Sequence, residues 1–407
     1  MKGKTLYLFT AGYPYGIKDE PFLENEIAYL ADAFDKIVIF PKSKPSKDKR
    51  VTPSNVEVND CINQAELKNK KLVILNNLFF VLKIVLPSAY KPKNVISFWK
   101  NFKLLSDILA QGIIRGKTLK KELKNIDLSN AVFYDYWFTN SFYSISYLKK
   151  YRKIKKFVCR GHRYDIYKEN WPTNEVPFLT YRIKNVDELY LISKHGYDHL
   201  KNVSHPKYWD KLKLSYLGVI NHNSDCSIKK VSDENFVIVS CARVVDFKRV
   251  HEIPLILKNI TSPVKWIHFG DGPLFDKLKE NCKLLPSNIE VDLRGYVSNE
   301  DVIDYYKKYK VDLFISISLS EGLPVSMMEA LSFGIPIIAV DAGGVNEIVC
   351  NENGVLIDMN ADFSAISTII NRFIKENDLN PSEIIELFDE NFSASKNYTK
   401  FIFHLNN

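Results

Sequence analysis

The run Val311-Asp-Leu-Phe-Ile-Ser-Ile317 is followed after a short loop by Glu321-Gly-Leu-Pro-Val-Ser-Met-Met-Glu329-Ala-Leu-Ser-Phe-Gly-Ile-Pro336, and the reading of the whole chain turns on this stretch. A short apolar run bounded by turn residues is what a buried strand makes. Pro324 suits the first turn of a helix, because its missing N–H is one a helix start leaves unpaired. Strand, loop and helix in this order predict one unit of a parallel α/β sheet, whose ligands sit at the carboxyl ends of strands. N–H groups at the helix start can hold a phosphate. Glu321 in the loop can accept hydrogen bonds from sugar hydroxyls, and Glu329 inside the helix can accept them from a ribose. That division of labour suits a sugar nucleotide. The same residues have a plainer reading: Ser326 and Glu329 fit a capping box that only satisfies helix-start donors, and Glu321 is then a solvated loop acid.

The pattern repeats on both sides. Downstream of Phe236-Val-Ile-Val-Ser240, strand-like runs recur at Val264–Phe269, Ile289–Leu293, Ile335–Val340 and Val355–Ile357, and Ser298 caps a predicted helix that continues to Tyr306. Upstream lie Thr5–Phe9, Lys36–Phe40, Ala131–Tyr134, Lys156–Cys159, Glu188–Ile192 and Leu214–Leu217. The polar stretch Asn221–Lys230 separates the two sets. This predicts an α/β protein of two doubly wound, Rossmann-like domains facing an interdomain cleft, with residues 1–225 as the first and 226–385 as the second.

Composition agrees. With 407 residues, 46% of them hydrophobic, the chain is too long for one ordinary core and excludes disorder. The six cysteines, Cys61, Cys159, Cys226, Cys241, Cys282 and Cys350, form no CxxC pair, and the N-terminus leads into a strand without a signal-peptide pattern. A reduced, cytoplasmic setting follows, with thiols packed as small hydrophobes. The net charge of +8 is uneven: between Pro41 and Lys124 stand 18 Lys and Arg against six Asp and Glu. Inside that region Leu72–Leu86 is apolar but broken by Asn76, Asn77 and Lys83, and is too short for a bilayer core of about 30 Å. With Phe98-Trp99-Lys100 nearby, the region suits either an anionic membrane face or a core helix with a solvated Lys-rich side. No nucleic-acid recognition motif accompanies it.

Further candidates follow strands. Arg243 and Lys248, just past Phe236–Ala242, can clamp a diphosphate, Arg as a fork and Lys as a point charge; a solvated basic loop is the plainer alternative. The order Arg243…Lys248, Gly270-Asp-Gly-Pro-Leu274, Arg294-Gly-Tyr-Val297, Glu321…Glu329, Ala342-Gly-Gly-Val-Asn-Glu-Ile348 resembles the nucleotide-sugar half of retaining glycosyltransferases of family 4, the glycosyl transferases group 1, which have the GT-B fold.

The resemblance implies that Arg243 and Lys248 bind the donor diphosphate and that Glu321 contacts the transferred sugar while Glu329 binds the ribose. It places Gly322 and Leu323 as backbone donors and Tyr296 and Val297 at the base. Gly270-Asp-Gly272 reads as a tight turn. In the first half, the loop Thr10-Ala-Gly-Tyr-Pro-Tyr-Gly16 stands where the family has a glycine-rich loop, though without its Gly-Gly pair, so Gly12 or Gly16 either reaches the diphosphate or only forms a turn. His162, in Cys159-Arg-Gly-His162-Arg-Tyr-Asp165, resembles the family's acceptor-domain histidine, with Asp165 and Asp135 as further acceptor-side candidates. Residues 386–407 are expected to return to the first domain.

No Asp-x-Asp motif for a donor metal is present, and His195 with His199, at zinc-like i, i+4 spacing, lacks a third ligand. The expectation is a metal-independent retaining hexosyl- or N-acetylhexosaminyltransferase that needs no cofactor beyond its UDP- or GDP-linked sugar donor. Its acceptor would be a glycan or lipid-linked glycan of a bacterial surface polysaccharide, and it would sit on the inner face of the cell membrane without binding nucleic acid. A nucleotide-sugar epimerase or hydrolase is the runner-up, and a non-enzymatic basic membrane adaptor comes behind it.

Overall fold

The computed structural model describes residues 4–16, 20–89, 95–222 and 235–406. They fall into two compact units, Met1–Ser215 with Tyr398–Asn407, and Tyr216–Asn397.

The first unit is built on seven strands: β1 (Thr5–Thr10), β2 (Lys36–Pro41), β3 (Val56–Val58), β4 (Val132–Asp135), β5 (Lys156–Gly161), β6 (Glu188–Leu191) and β7 (Leu212–Leu214). Their order is β3-β2-β1-β4-β5-β6-β7, and every pairing is parallel. Alternation along β1 explains why the strand is apolar throughout. Tyr7 and Phe9 enter one core with Phe40 and Phe133, and Leu6 and Leu8 enter another with Ile37, Ile39 and Tyr134. A sheet covered on both faces needs such continuous runs. The expected strand 214–217 lies earlier, as β7, and β3 is a short half-exposed edge strand that the sequence reading does not foresee.

The second unit carries β8 (Phe236–Cys241), β9 (Val264–Phe269), β10 (Ile289–Leu293), β11 (Leu313–Ser316), β12 (Ile337–Val340) and β13 (Gly354–Ile357). The order is β10-β9-β8-β11-β12-β13, again parallel throughout. In each sheet the order reverses at its first strand, so the crevice for a ligand lies between β1 and β4 in one and between β8 and β11 in the other.

The expected 225/226 boundary falls among residues outside those described, and Cys226 with it. The units divide earlier, after Ser215, because the following segment pairs with chain that stays in the second unit: Val219 N–H donates to Phe392 O at 2.9 Å, and Ala394 N–H donates to Val219 O at 2.9 Å. The return to the first unit therefore starts at Tyr398 instead of 386. There, within helix Ala394–Asn406, Phe401 packs on Tyr134 and Tyr190 and lies 4.2 Å beneath the guanidinium of Arg160. Arg160 pairs with Glu26 at 3.2 Å, both side chains fully buried.

Helices Lys70–Asn76, Leu78–Ala89 and Val95–Glu122 carry the basic region. Val81, Ile84 and Val85 face the core, while Leu72, Leu75, Phe79 and Trp99 are exposed, Phe79 to 83%. Among the described residues no helix is long and apolar enough to cross a membrane.

Candidate active site

In the second unit the loops after β8 and β11 meet. Leu319 N–H donates to Phe247 O at 2.8 Å, which sets the β11 loop beside the short turn Asp246–Lys248. The consequence is an ion pair: Lys248 Nζ lies 2.5 and 2.6 Å from the two carboxylate oxygens of Glu321. Glu321 is only 8% exposed, so this pair is largely withdrawn from water, where removing one partner leaves the other uncompensated. Arg243 stands exposed at the start of the same β8 loop. The loop is braced from behind, with Val244 N–H on Asp271 O at 3.0 Å and Gly270 N–H on Gly295 O at 2.7 Å, so the Gly270-Asp-Gly272 turn is a buttress for Arg243.

A second buttress fixes Glu321. Gly343, at φ +64°, packs its backbone on the Glu321 carbonyl so closely that a Cβ there would stand 2.1 Å from the oxygen. Only glycine meets both demands. Among the described residues, the N–H groups of Gly322 and Leu323 find no acceptor and remain available beside the helix start.

The helix itself overturns the capping-box alternative. Its cap residue is Pro324 and it runs over Val325–Leu331, so Ser326 is already inside it. The side chain of Glu329 is buried, and its Oε1 accepts from Asn299 Nδ2 at 2.7 Å. Burial pushes its carboxyl up to about 7, with the Asn299 hydrogen bond opposing the shift. A true capping box occurs elsewhere, at Ser298 and Asp301, where it starts helix Asn299–Lys308 and so aims Asn299 at Glu329. Tyr296, 45% exposed, and Val297 precede that helix in the loop after β10.

In the first unit, β5 ends at Gly161 and His162 opens the short helix Arg163–Ile166, its backbone N–H donating to Asp165 Oδ2 at 2.9 Å. The imidazole sits in an aromatic cage: ring centroids of Trp137, Tyr136 and Phe22 lie 4.4, 5.1 and 5.7 Å away. Among the described residues neither ring nitrogen has a hydrogen-bond partner. Asp135, at the end of β4, is buried, and desolvation, then the neighbouring Asp165, hold its carboxyl well above the usual range.

The glycines of the β1 loop have other occupations. Gly16 N–H donates to Asp48 O at 3.0 Å and its φ is +75°, so a turn accounts for it. Gly12 N–H donates to Glu20 Oε2 at 2.8 Å. Glu20 is the residue sequence reasoning missed. Its two oxygens accept from Ala11, Gly12 and Tyr13 N–H at 2.9, 2.8 and 2.8 Å, and from the indole N–H of Trp137. No spacing or motif marks it. The histidines at i, i+4 are also engaged: His195 Nδ1 meets Tyr167 Oη, and His199 Nε2 lies 3.2 Å from Ile166 O. Among the described residues no group of three metal-ligating side chains exists.

With this geometry in place, the likeness to known proteins can be located. The family profile of glycosyl transferases group 1 matches residues 225–386, the stretch holding Arg243, Lys248, Glu321 and Glu329. Through this region the chain is similar to the group 1 glycosyl transferases. It is 28% identical over 162 residues to the putative teichuronic acid biosynthesis glycosyltransferase TuaC of Bacillus subtilis, a match covering 39% of each chain. It is 22% identical over 393 residues, 90% of each chain, to the amylovoran biosynthesis glycosyltransferase AmsK of Erwinia amylovora. Among solved structures, the apo lipopolysaccharide outer core galactosyltransferase WaaB superposes with a TM-score of 0.67 at 17% identity, over 99% of each chain. HepE of Anabaena in complex with UDP gives 0.64 at 16% identity, also over 99% of each. These structural likenesses establish the GT-B fold.

Proposed function

We propose that this protein is a metal-independent retaining glycosyltransferase that moves a hexosyl or N-acetylhexosaminyl unit from a nucleoside-diphosphate sugar to a hydroxyl of a glycan or lipid-linked glycan in surface polysaccharide assembly. The observation that carries this reading is the buried Lys248–Glu321 pair at the β8/β11 crevice, with Glu329 inside the following helix. A cation, two unengaged backbone N–H groups and an exposed arginine stand on the loops after β8 and β11, where a diphosphate would sit. As the sugar–phosphate bond breaks, negative charge grows on the leaving phosphate, and Lys248 with Arg243 stabilises it. Glu321, released from Lys248 when the phosphate takes the ammonium, supports the sugar. Glu329 would accept from the ribose.

In this reading the nucleoside diphosphate is either UDP or GDP, the leaving phosphate takes the acceptor's proton on the face it departs from, and His162 in the first unit faces the acceptor hydroxyl. Support comes from the named roles of relatives in teichuronic acid and amylovoran biosynthesis and from the UDP bound to HepE. The test is release of nucleoside diphosphate by purified protein given a panel of sugar nucleotides and lipid-linked glycans, with the product's anomeric configuration read by NMR. No release with any pair, or an epimerised free donor as the only product, refutes it.

A finer reading concerns location. Exposed Leu72, Leu75, Phe79 and Trp99 stand among lysines, a combination that would insert apolar side chains under anionic headgroups on the inner face of a cell membrane. Flotation with phosphatidylglycerol vesicles should be strong at low salt and weak at high salt; absence of salt-sensitive flotation removes this reading.

A further inference from the structure

We infer that Glu20 is a positioning residue that supplies, from within the chain, the anion required by the loop after β1, and that through Trp137 it holds the aromatic cage around His162. The inference rests on the reading of His162 as acceptor-facing.

The loop after β1 borders the β1/β4 crevice, the place where a doubly wound sheet offers backbone N–H groups to a ligand phosphate. Here those groups are taken. Ala11, Gly12 and Tyr13 N–H all end on Glu20, whose carboxylate is buried with it at 4% exposure. A non-glycine residue at φ +52° holds a left-handed backbone that L side chains rarely adopt, and such a conformation persists only where the surroundings over-determine it. Four N–H donors on one carboxylate are that surrounding.

The fourth donor gives the arrangement its reach. The Trp137 indole N–H ends on Glu20 Oε1, and the same indole lies face-to-face-tilted on His162 at 4.4 Å and 38°. Two residues beyond Glu20, Phe22 touches Tyr136, Trp137 and His162. One carboxylate thus staples the ends of β1 and β4 and sets two walls of the box that holds the imidazole ending β5. Neither imidazole nitrogen is hydrogen-bonded to protein among the described residues, and Nδ1 stands 3.6 Å from Asp165 Oδ2, so the aromatic walls together with that carboxylate set the ring's direction. Loss of Glu20 loosens two of those walls.

The experiment compares Glu20→Ala with the wild-type full chain. The expected result is a kcat about tenfold lower or more, with the donor KM within about twofold, because the donor groups belong to the other unit. Added sodium formate, a carboxylate small enough for the vacated nest, should restore kcat. Trp137→Phe, which keeps an aromatic ring but deletes the indole donor, should lower kcat by less and without rescue by formate, and it serves if the alanine variant does not fold. A folded Glu20→Ala protein with wild-type kcat overturns the inference. So does a variant whose donor affinity rises sharply, which would show the freed N–H groups taking the diphosphate. His162→Asn separates the two levels: if it retains full activity, the reading of His162 itself fails, and if it is inactive while Glu20→Ala is unimpaired, only the inference about Glu20 fails.

Discussion

The two units share a sheet order around their first strands, yet they treat the same spot in opposite ways. In the second unit the loops beside β8 and β11 hold a cation against a carboxylate and leave the N–H groups of Gly322 and Leu323 unengaged among the described residues. In the first, the N–H groups after β1 are closed on Glu20. A parallel sheet with this topology makes an anion-attracting crevice by construction. Sequence decides whether a ligand or the chain itself answers it.

The sharpest way to break this contrast is at Lys248 and Glu321. Lys248→Ala or Glu321→Gln should lower kcat about 100-fold or more, the range of losing one transition-state electrostatic contact, while circular dichroism stays native. Full activity in both would leave the second crevice without a role. Next, Gly343→Val should distort the Glu321 loop: a Cβ would stand 2.1 Å from the Glu321 carbonyl at a φ of +64°. We expect a loss of about 2 kcal/mol or more in denaturant unfolding and a large drop in turnover; an unchanged midpoint would show the buttress to be soft. A smaller effect is expected on the first unit's outer face, where Phe79→Asp with Trp99→Asp should weaken phosphatidylglycerol-vesicle partition about tenfold and leave turnover on a soluble acceptor intact.

The mildest effect concerns pH. Burial holds the Glu329 carboxyl at about 7 against an ordinary value of 4.5. The folded protein therefore keeps a proton that the unfolded chain has lost between those values, so stability falls as pH rises through that window and stays lower above it. Glu329→Gln should melt at a higher temperature than wild type at pH 8 and no higher at pH 4. Donor affinity should rise severalfold from about pH 6 to about pH 8, as the carboxylate that accepts from a ribose becomes charged, and the dependence should vanish in the variant. A flat wild-type titration by calorimetry would detach Glu329 from the donor.

Much of the fold was legible because a parallel sheet buried on both faces writes itself as short apolar runs, as in Phe236–Ser240 and Ile335–Val340. β3 was not legible: three residues at a half-exposed edge carry too little apolar signal. The pairing of Lys248 with Glu321 was foreseeable only as membership in one motif set, and their contact needed the Leu319–Phe247 bond between loops. Ser326 and Glu329 show how a local pattern misleads. The spacing fits a cap, but Pro324 takes that position, and tertiary burial gives Glu329 a different neighbour. Glu20 left no trace in the sequence, because an acid in a turn looks solvated until the chain folds back on it.

The seat of Phe401 in the first unit has a consequence for how the molecule is made. Its ring fills space between Tyr134, Tyr190 and the guanidinium of Arg160, whose partner Glu26 is as deeply buried. During synthesis the first unit, whose main stretch ends at Ser215, cannot finish its core until the segment that begins at Tyr398 has left the ribosome. Until then a buried charge pair lies open to water, and the nascent first domain waits, incomplete, for the whole of the second.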